Sequence, residues 1–252
     1  MLKKSSIRHM VVNSGLYKPV MFFRRHLLRR YELDRVRQSL AFFKGVLKPG
    51  DLVFDVGANI GQSAEIFLKC GARVVSIEPQ THCAAELRAR FSGNSRFTLV
   101  PKAVGSEPGS ATLYISQYDF MSSFDKEWCN ITWARTLEVP VTTLDALITE
   151  FGIPKFLKID VEGWESQVLA GLSQRVPLLS FEYHSGAKGY ATVEACLDRL
   201  AKIGELRLNL SGQEKWEFSL ADWVNQAELL IQLDRRMTAD PESYGDVMVK
   251  MA

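Results

Sequence analysis

Apolar residues follow two rhythms along this chain. From residue 51 onward, short runs rich in Val, Ile, Leu and Phe alternate with longer stretches in which apolar positions recur every three or four residues. The short runs predict strands at 51–56 (DLVFDV), 73–78 (RVVSIE), 96–100, 156–161 (FLKIDV), 178–182 (LLSFE), 206–210 (LRLNL) and 246–251 (DVMVKM). The longer stretches predict helices in most of the gaps. Such alternation marks crossover units and hence a mainly parallel sheet. The segment 101–142 breaks the rhythm. VGSEPGSATLYIS, with a Gly/Pro turn between β-prone runs, predicts a hairpin, and LEVPVTTLDALI a strand leading into a short helix.

Ahead of this region, Leu16, Val20, Phe23, Leu27 and Tyr31, then Val36, Leu40 and Phe43, recur at helical spacing, so one or two amphipathic helices precede the domain. Charge separates the two parts. Residues 1–50 hold twelve Lys/Arg against two acids, Glu32 and Asp34, while the remainder holds nineteen against twenty-seven. A solvated helical cap accounts for this basic extension, and so does attraction to an anionic membrane surface or to an acidic substrate. The expected division is a basic helical extension over 1–48 and one domain over 49–252.

At 252 residues and 46% hydrophobic, the chain can bury a full core. No apolar run approaches the roughly 20 residues that span a bilayer, and no secretory leader pattern opens the sequence. Cys70, Cys83, Cys129 and Cys196 form no CxxC pair, which argues against a disulfide framework and a zinc site. A cytoplasmic protein is expected.

Chemistry gathers at the strand ends. Three apolar strands finish on acids: Glu78 in VVSIEP, Asp160 and Glu162 in FLKIDVEG, and Glu182 followed by His184 in LLSFEYH; Asp55 closes the first strand. In an open parallel sheet, ligands bind outside the carboxyl ends of the strands, so these residues share one rim. A single strand-end acid is often only a helix cap, but several on apolar strands carry a desolvation cost that needs a partner.

The turn DVGANIG has Gly57 and Gly61, with Asn59 where a dinucleotide fingerprint places a glycine to admit a pyrophosphate. A nucleoside without phosphates fits better. Glu78, about twenty residues on, is placed to accept from both hydroxyls of a ribose. S-adenosylmethionine, cationic and ribose-bearing, suits a glycine turn beside several carboxylates. A nicotinamide-dependent oxidoreductase or epimerase, and a non-catalytic nucleoside-binding or membrane-docking module, are the alternatives.

FDVGANIGQSAEIF, SIEP, KAVGSEPGSATLYIS, SSF, VPVTTLDALI, FLKIDVEGWESQVLAG and FEYH together resemble the FkbM family of S-adenosylmethionine-dependent methyltransferases, over roughly residues 50–185. The resemblance implies an α/β fold of the class I methyltransferase (Rossmann-like) type, a seven-stranded sheet in the order 3-2-1-4-5-7-6 with the last strand antiparallel. It also implies O-methylation of a small-molecule or glycan hydroxyl, leaving S-adenosylhomocysteine, with no nucleic-acid partner. By the family pattern Asp55, Gly57, Asn59 and Gly61 surround the methionine portion, Glu78 takes the ribose, Ala103 offers backbone to the adenine, and Asp160 approaches the amino group or the methyl. Where the family usually has SSL, this chain has Ser122-Ser123-Phe124.

A hydroxyl acceptor must lose its proton, so Glu162, Glu182 and His184 are the expected catalytic groups. Period-two alternation puts Asp160 with Glu162, and Glu182 with His184, on common sides of extended strands. Glu162 also stands at the start of the helix GWESQVLAGL, where an acid favours the positive helix end. The oxygen-rich cluster suits magnesium, although no spacing requires a metal. The aromatic run QYDFMSSFDKEWCNITWAR, with Tyr118, Phe120, Phe124, Trp128 and Trp133, reads as a lid over the acceptor or as a satellite core.

Overall fold

The computed structural model describes residues 34–116, 122–128, 132–212 and 215–251. Positions 16–31 of the basic extension, and Tyr118, Phe120 and Cys129, lie outside the described residues. The first described element is a helix, α1, over 34–46. Its Phe43, with Leu47 just beyond it, is buried against Val53, Phe67 and Phe156, and Phe42 packs on Trp216 and Phe218. These aromatic contacts make α1 part of the domain core.

Then follow β1 (Leu52–Val56), α2 (Gln62–Lys69), β2 (Arg73–Ile77), α3 (Thr81–Arg90), β3 (Phe97–Val100), β4 (Ala103–Val104), β5 (Gly109–Ser116), β6 (Ser122–Ser123) and β7 (Trp133–Thr142). The chain continues through α4 (Leu144–Phe151), β8 (Phe156–Ile159), α5 (Glu165–Ala170), β9 (Leu178–His184), α6 (Ala187–Ala201), β10 (Leu206–Gly212), β11 (Lys215–Phe218), α7 (Gln226–Ala239) and β12 (Tyr244–Met251).

The main sheet has the order β11-β10-β12-β9-β8-β1-β2-β3. Strands β3, β2, β1, β8 and β9 run parallel, and β12 is antiparallel to both β9 and β10. Seven strands therefore take the class I methyltransferase arrangement, and β11 adds an eighth at the edge. KWEF is too short and too polar for its pattern to announce a strand.

Alternation sorts the strand residues between two cores. Phe54, Leu157, Ile159, Leu179 and Phe181 face α4 to α7, whereas Val53, Phe156 and Leu178 face α1 and α2. Asp55, Lys158, Ser180 and Glu182 share the parity of this second set. A polar row is thus laid into the α1/α2 face of the sheet, with Asp55 opposite Lys158 and Lys158 opposite Ser180.

The segment 101–142 forms a separate four-stranded sheet, β4-β7-β5-β6. The hairpin expectation fails in its pairing. The Gly/Pro turn does connect β4 to β5, but both strands flank β7, Ala103 opposite Val141 on one side and Gly109 opposite Val141 on the other. Burial of Ala103, Leu113, Ile115 and Val139 in a common small core favours this order over direct pairing. The strand β7 leading into α4 is as expected, with Thr143 capping the helix through the Ala146 amide.

Candidate active site

The carboxyl ends of β1, β2 and β8 open into one cavity whose wall includes Gly57, Asn59, Glu78, Ala103, Asp160 and Glu162. Six of the ten residues singled out from the sequence therefore meet in one place. The turn after β1 is shaped by sterics. Gly57 has φ 80°, and a Cβ there would overlap the Asp160 carbonyl, so its glycine is explained by close approach to the end of β8. Asn59 adopts a left-handed φ of 48° and donates its backbone N–H to Glu78 Oε2 at 2.8 Å. Gln80 donates its backbone N–H to Glu78 Oε1 at 2.9 Å. Both oxygens of Glu78 are thereby oriented, and each keeps a lone pair for another donor.

Two predicted cofactor residues sit behind the wall instead. Asp55 is fully buried, and among the described residues neither of its oxygens finds a hydrogen bond of ordinary geometry, although the Ala64 amide and Ser76 hydroxyl face it. A Cβ on Gly61 would strike Phe91 and Leu87, so this glycine lets α2 pack closely against the end of α3. Both support the turn. Neither touches the cavity.

Strand β8 stops at Ile159, and Glu162 is not extended: its φ is 55°. The period-two argument for Asp160 and Glu162 therefore does not apply, because a turn brings Glu162 back toward β9. The helix-end role belongs to Glu165, whose carboxylate accepts from the Val161 and Gly163 amides. Glu162 is left to face the cavity, its buried Oε2 without a hydrogen-bond partner among the described residues. His184 Nε2 lies 3.0 Å from Glu182 Oε2 and 3.6 Å from Glu162 Oε2. Its ring is held edge-on against Trp128 and stacked near Tyr244. Glu162, Glu182 and His184 offer three ligand atoms within 4.8 Å of one another, a set that could form part of a divalent cation's shell.

The aromatic insertion divides. Phe124 lines the cavity and packs on Trp164, whereas Trp128 sits on Gly163 where a Cβ would overlap it. Ser123 donates to the Glu162 carbonyl at 2.6 Å, and Lys188 pairs with Asp125, so residues 122–128 are pinned across the site.

Lys158 escaped the sequence reading. It is 6% exposed, and its Nζ donates to Asp160 Oδ2 at 2.7 Å. Burial disfavours its charge, but Asp160, Asp55 and Asp246 together hold its pKa above the usual lysine value. For Asp160, burial acts upward and is outweighed by Lys158, so this carboxyl stays below its ordinary range. The detectable signal was a lysine inside the apolar run FLKI, two residues from an acid and hence on its side of the strand.

The other carboxyls move upward. Burial is the leading cause for Asp55, raised to about 6, for Glu78, raised to about 7, and for Glu165, raised to about 7. Glu162 rises to about 9 by burial, with Glu182 and Asp160 adding repulsion, and Glu182 is raised well above its usual value by burial and then Asp160. A carboxyl whose folded pKa exceeds its unfolded one stabilises the fold while protonated, and that contribution is lost as pH rises through the folded value. The cofactor-free protein is therefore expected to melt at progressively lower temperature as pH climbs from about 4 to about 9. Lys158 and Asp160 titrate outside that window. Calorimetric scans across it check the sign; a midpoint that climbs would contradict the burial of these groups.

No helix among the described residues is long and apolar enough to cross a membrane. A search among curated proteins finds no match. Among solved structures, the chain is similar to a precorrin-6y C5,15-methyltransferase from Geobacter metallireducens GS-15 at 8% identity, covering 85% of this chain and 86% of that one, with a TM-score of 0.46. It is similar to an rRNA methylase from Streptococcus thermophilus at 12% identity, 84% and 93% coverage and a TM-score of 0.44. A SAM-dependent methyltransferase from Geobacter sulfurreducens, in complex with S-adenosyl-L-homocysteine, gives 12%, 87% and 91%, and 0.42. The methyltransferase FkbM domain matches residues 55–223, and the chain belongs to that family of S-adenosylmethionine-dependent methyltransferases.

Proposed function

We propose that this chain is an O-methyltransferase acting on a hydroxyl group of a small molecule or glycan, with His184, held by its hydrogen bond to Glu182, receiving the hydroxyl proton. The observation that carries this reading is the hydrogen-bonded Glu182–His184 pair, with Glu162 beside it, at the rim of a cavity that Glu162 also lines.

The residues of that cavity fit S-adenosylmethionine. Its wall presents three acids, Glu78, Asp160 and Glu162, to a ligand with two cationic centres. Gln80 Oε1 and Glu162 Oε2 are buried polar atoms on the same wall with no hydrogen-bond partner among the described residues, as expected where a ligand's donors complete the bonding. Glu78 would take the ribose, the backbone at Ala103 the adenine, and Asp160 the amino group or the methyl end. When bound, the cofactor supplies a methyl group on a sulfonium, ready for displacement.

The chain's own residues hold and move the proton. Lys158 keeps Asp160 ionised, which favours positive charge at that end of the cavity. His184 is braced by Trp128 and Tyr244, so its Nε2 points at the carboxyls and is held for proton exchange. Alignment of the acceptor supplies much of the acceleration, and the base a further ~10²–10⁴-fold.

Glu182→Gln and His184→Ala are accordingly expected to lower turnover by ~10²-fold or more while leaving S-adenosylhomocysteine affinity nearly unchanged. Labelled S-adenosylmethionine with fractionated small molecules and glycans identifies the acceptor and supplies the assay. Full turnover in both variants would remove the pair from the reaction, and a product labelled on nitrogen or carbon would replace O-methylation. Docking of the basic extension to anionic membranes is a separate proposal, tested by co-sedimentation of full-length and shortened chains with anionic vesicles.

A further inference from the structure

A second cavity, of about 220 Å³, opens on the α1/α2 side of Asp160. Its floor is the polar row of the sheet: Lys158, Asp160 and Glu182, extended by Asp246 of β12, which pairs with Glu182 on one side and with Ser211 of β10 on the other. Its walls include Trp216 of β11, Tyr244 at the start of β12 and Arg35 of α1. From this placement we infer that the second cavity is the acceptor chamber, and that it takes a neutral, polyhydroxylated ring. The inference rests on the methyl-transfer reading above and assigns that reaction's second substrate a place.

Connectivity is the first argument. This cavity shares Asp160 with the cofactor cavity and Glu182 with the Glu182–His184 pair. A third cavity, beside Trp128 and Lys188, also reaches Glu182 and His184 but shares no residue with the cofactor cavity. Of the three, only the chamber over the polar row touches both the donor's cavity and the base.

Chemistry is the second. Three carboxyls, Asp160, Glu182 and Asp246, face one lysine already bonded to Asp160. Such a floor accepts hydrogen bonds and holds its lysine already paired with Asp160, so it suits hydroxyl groups better than phosphate or carboxylate on the ligand. The Trp216 indole gives an apolar wall for the C–H face of a ring, and Arg35 offers donors to hydroxyl lone pairs. Burial also raises Asp246 to about 6. Arg35, Tyr244 and Asp246 lie outside the matched FkbM domain, so these contacts come from segments beyond the matched region.

The test is saturation-transfer NMR on the full chain saturated with S-adenosylhomocysteine. The probes are a panel of neutral methyl hexopyranosides and deoxyhexopyranosides, with the corresponding methyl glucuronide as the anionic arm. Two variants report on the chamber: Asp246→Asn, and Arg35→Ala, which removes the donor that α1 brings to its wall. Expected is transfer to neutral glycosides over the glucuronide, weakened roughly five- to tenfold in either variant, about the worth of one good hydrogen bond. S-adenosylhomocysteine affinity should stay within about twofold. Absence of transfer to every neutral probe, signals undiminished in both variants, or preference for the glucuronide would each overturn the chamber. Failure of S-adenosylhomocysteine to bind the unmodified chain would instead defeat the donor reading beneath it.

Discussion

Glu78→Ala is expected to weaken S-adenosylhomocysteine binding by about 100-fold, the loss of two hydrogen bonds to a charged group at ~1.5 kcal/mol each. The magnitude follows from where Glu78 stands. It is 3% exposed, and its two oxygens are aimed by the Asn59 and Gln80 amides. Alanine removes both oxygens proposed to accept from the ribose and also orphans two backbone donors, one of them on a residue held at left-handed φ. Glu78→Gln keeps the bulk and one acceptor oxygen, so about a tenfold loss is expected there. Burial raises the Glu78 pKa to about 7, and ribose hydroxyls bond best to the ionised form. Binding should therefore tighten as pH rises through about 7 and release a proton, and Glu78→Gln should flatten that slope. Isothermal titration in buffers of different ionisation enthalpy reads both quantities. An unchanged dissociation constant in the alanine variant would take the ribose away from this carboxyl.

The legible part of the fold was the part written in long apolar runs. DLVFDV, RVVSIE and FLKIDV give the β2-β1-β8 centre because a strand buried on both faces has little else to be made of. The glycine turn and Glu78 could be paired by spacing alone, since one crossover fixes their separation in space. What escaped was the second face of those same strands. In a run such as FLKI the eye counts apolar residues, while the structure uses parity, and Lys158 falls in with Asp55, Ser180 and Glu182. Of the residues lining the second cavity, Trp216 and Asp246 are brought together by sheet order and Arg35 by the packing of α1 on that sheet, neither of which local pattern encodes. Glu162 shows a different limit. A turn with φ 55° reverses the direction that strand periodicity assigns, and nothing in DVEGW apart from its glycine hints at it. The β4–β5 pairing failed because a Gly/Pro turn specifies a reversal of chain and not the partner that each strand then finds.

Lys158→Met tests whether the buried ion network is what lets this polar face exist. The substitution keeps length and apolar stem but removes the cation that faces Asp55, Asp160 and Asp246. Replacing a whole buried ion pair can be neutral, whereas removing one partner leaves uncompensated charge and costs about 3–5 kcal/mol at neutral pH. Urea unfolding is expected to show that loss. The pH dependence separates electrostatics from packing. Without Lys158, Asp160 loses the attraction that holds its pKa down, and Asp55 and Asp246, already raised to about 6, rise further. Carboxyls raised in the folded state take up protons as pH falls and then favour the fold, so the deficit should shrink toward pH ~5 and widen toward pH ~8. Adding Asp160→Asn should recover part of the loss, because the neutral amide no longer needs a buried cation, and the two changes should be strongly non-additive. The double variant should still bind S-adenosylhomocysteine less tightly than the unmodified chain, since the anionic end of the cofactor cavity has gone. A deficit of equal size at both pH values would mean that Lys158 contributes by shape alone, and that Asp160 owes its charge to something other than the lysine two residues before it.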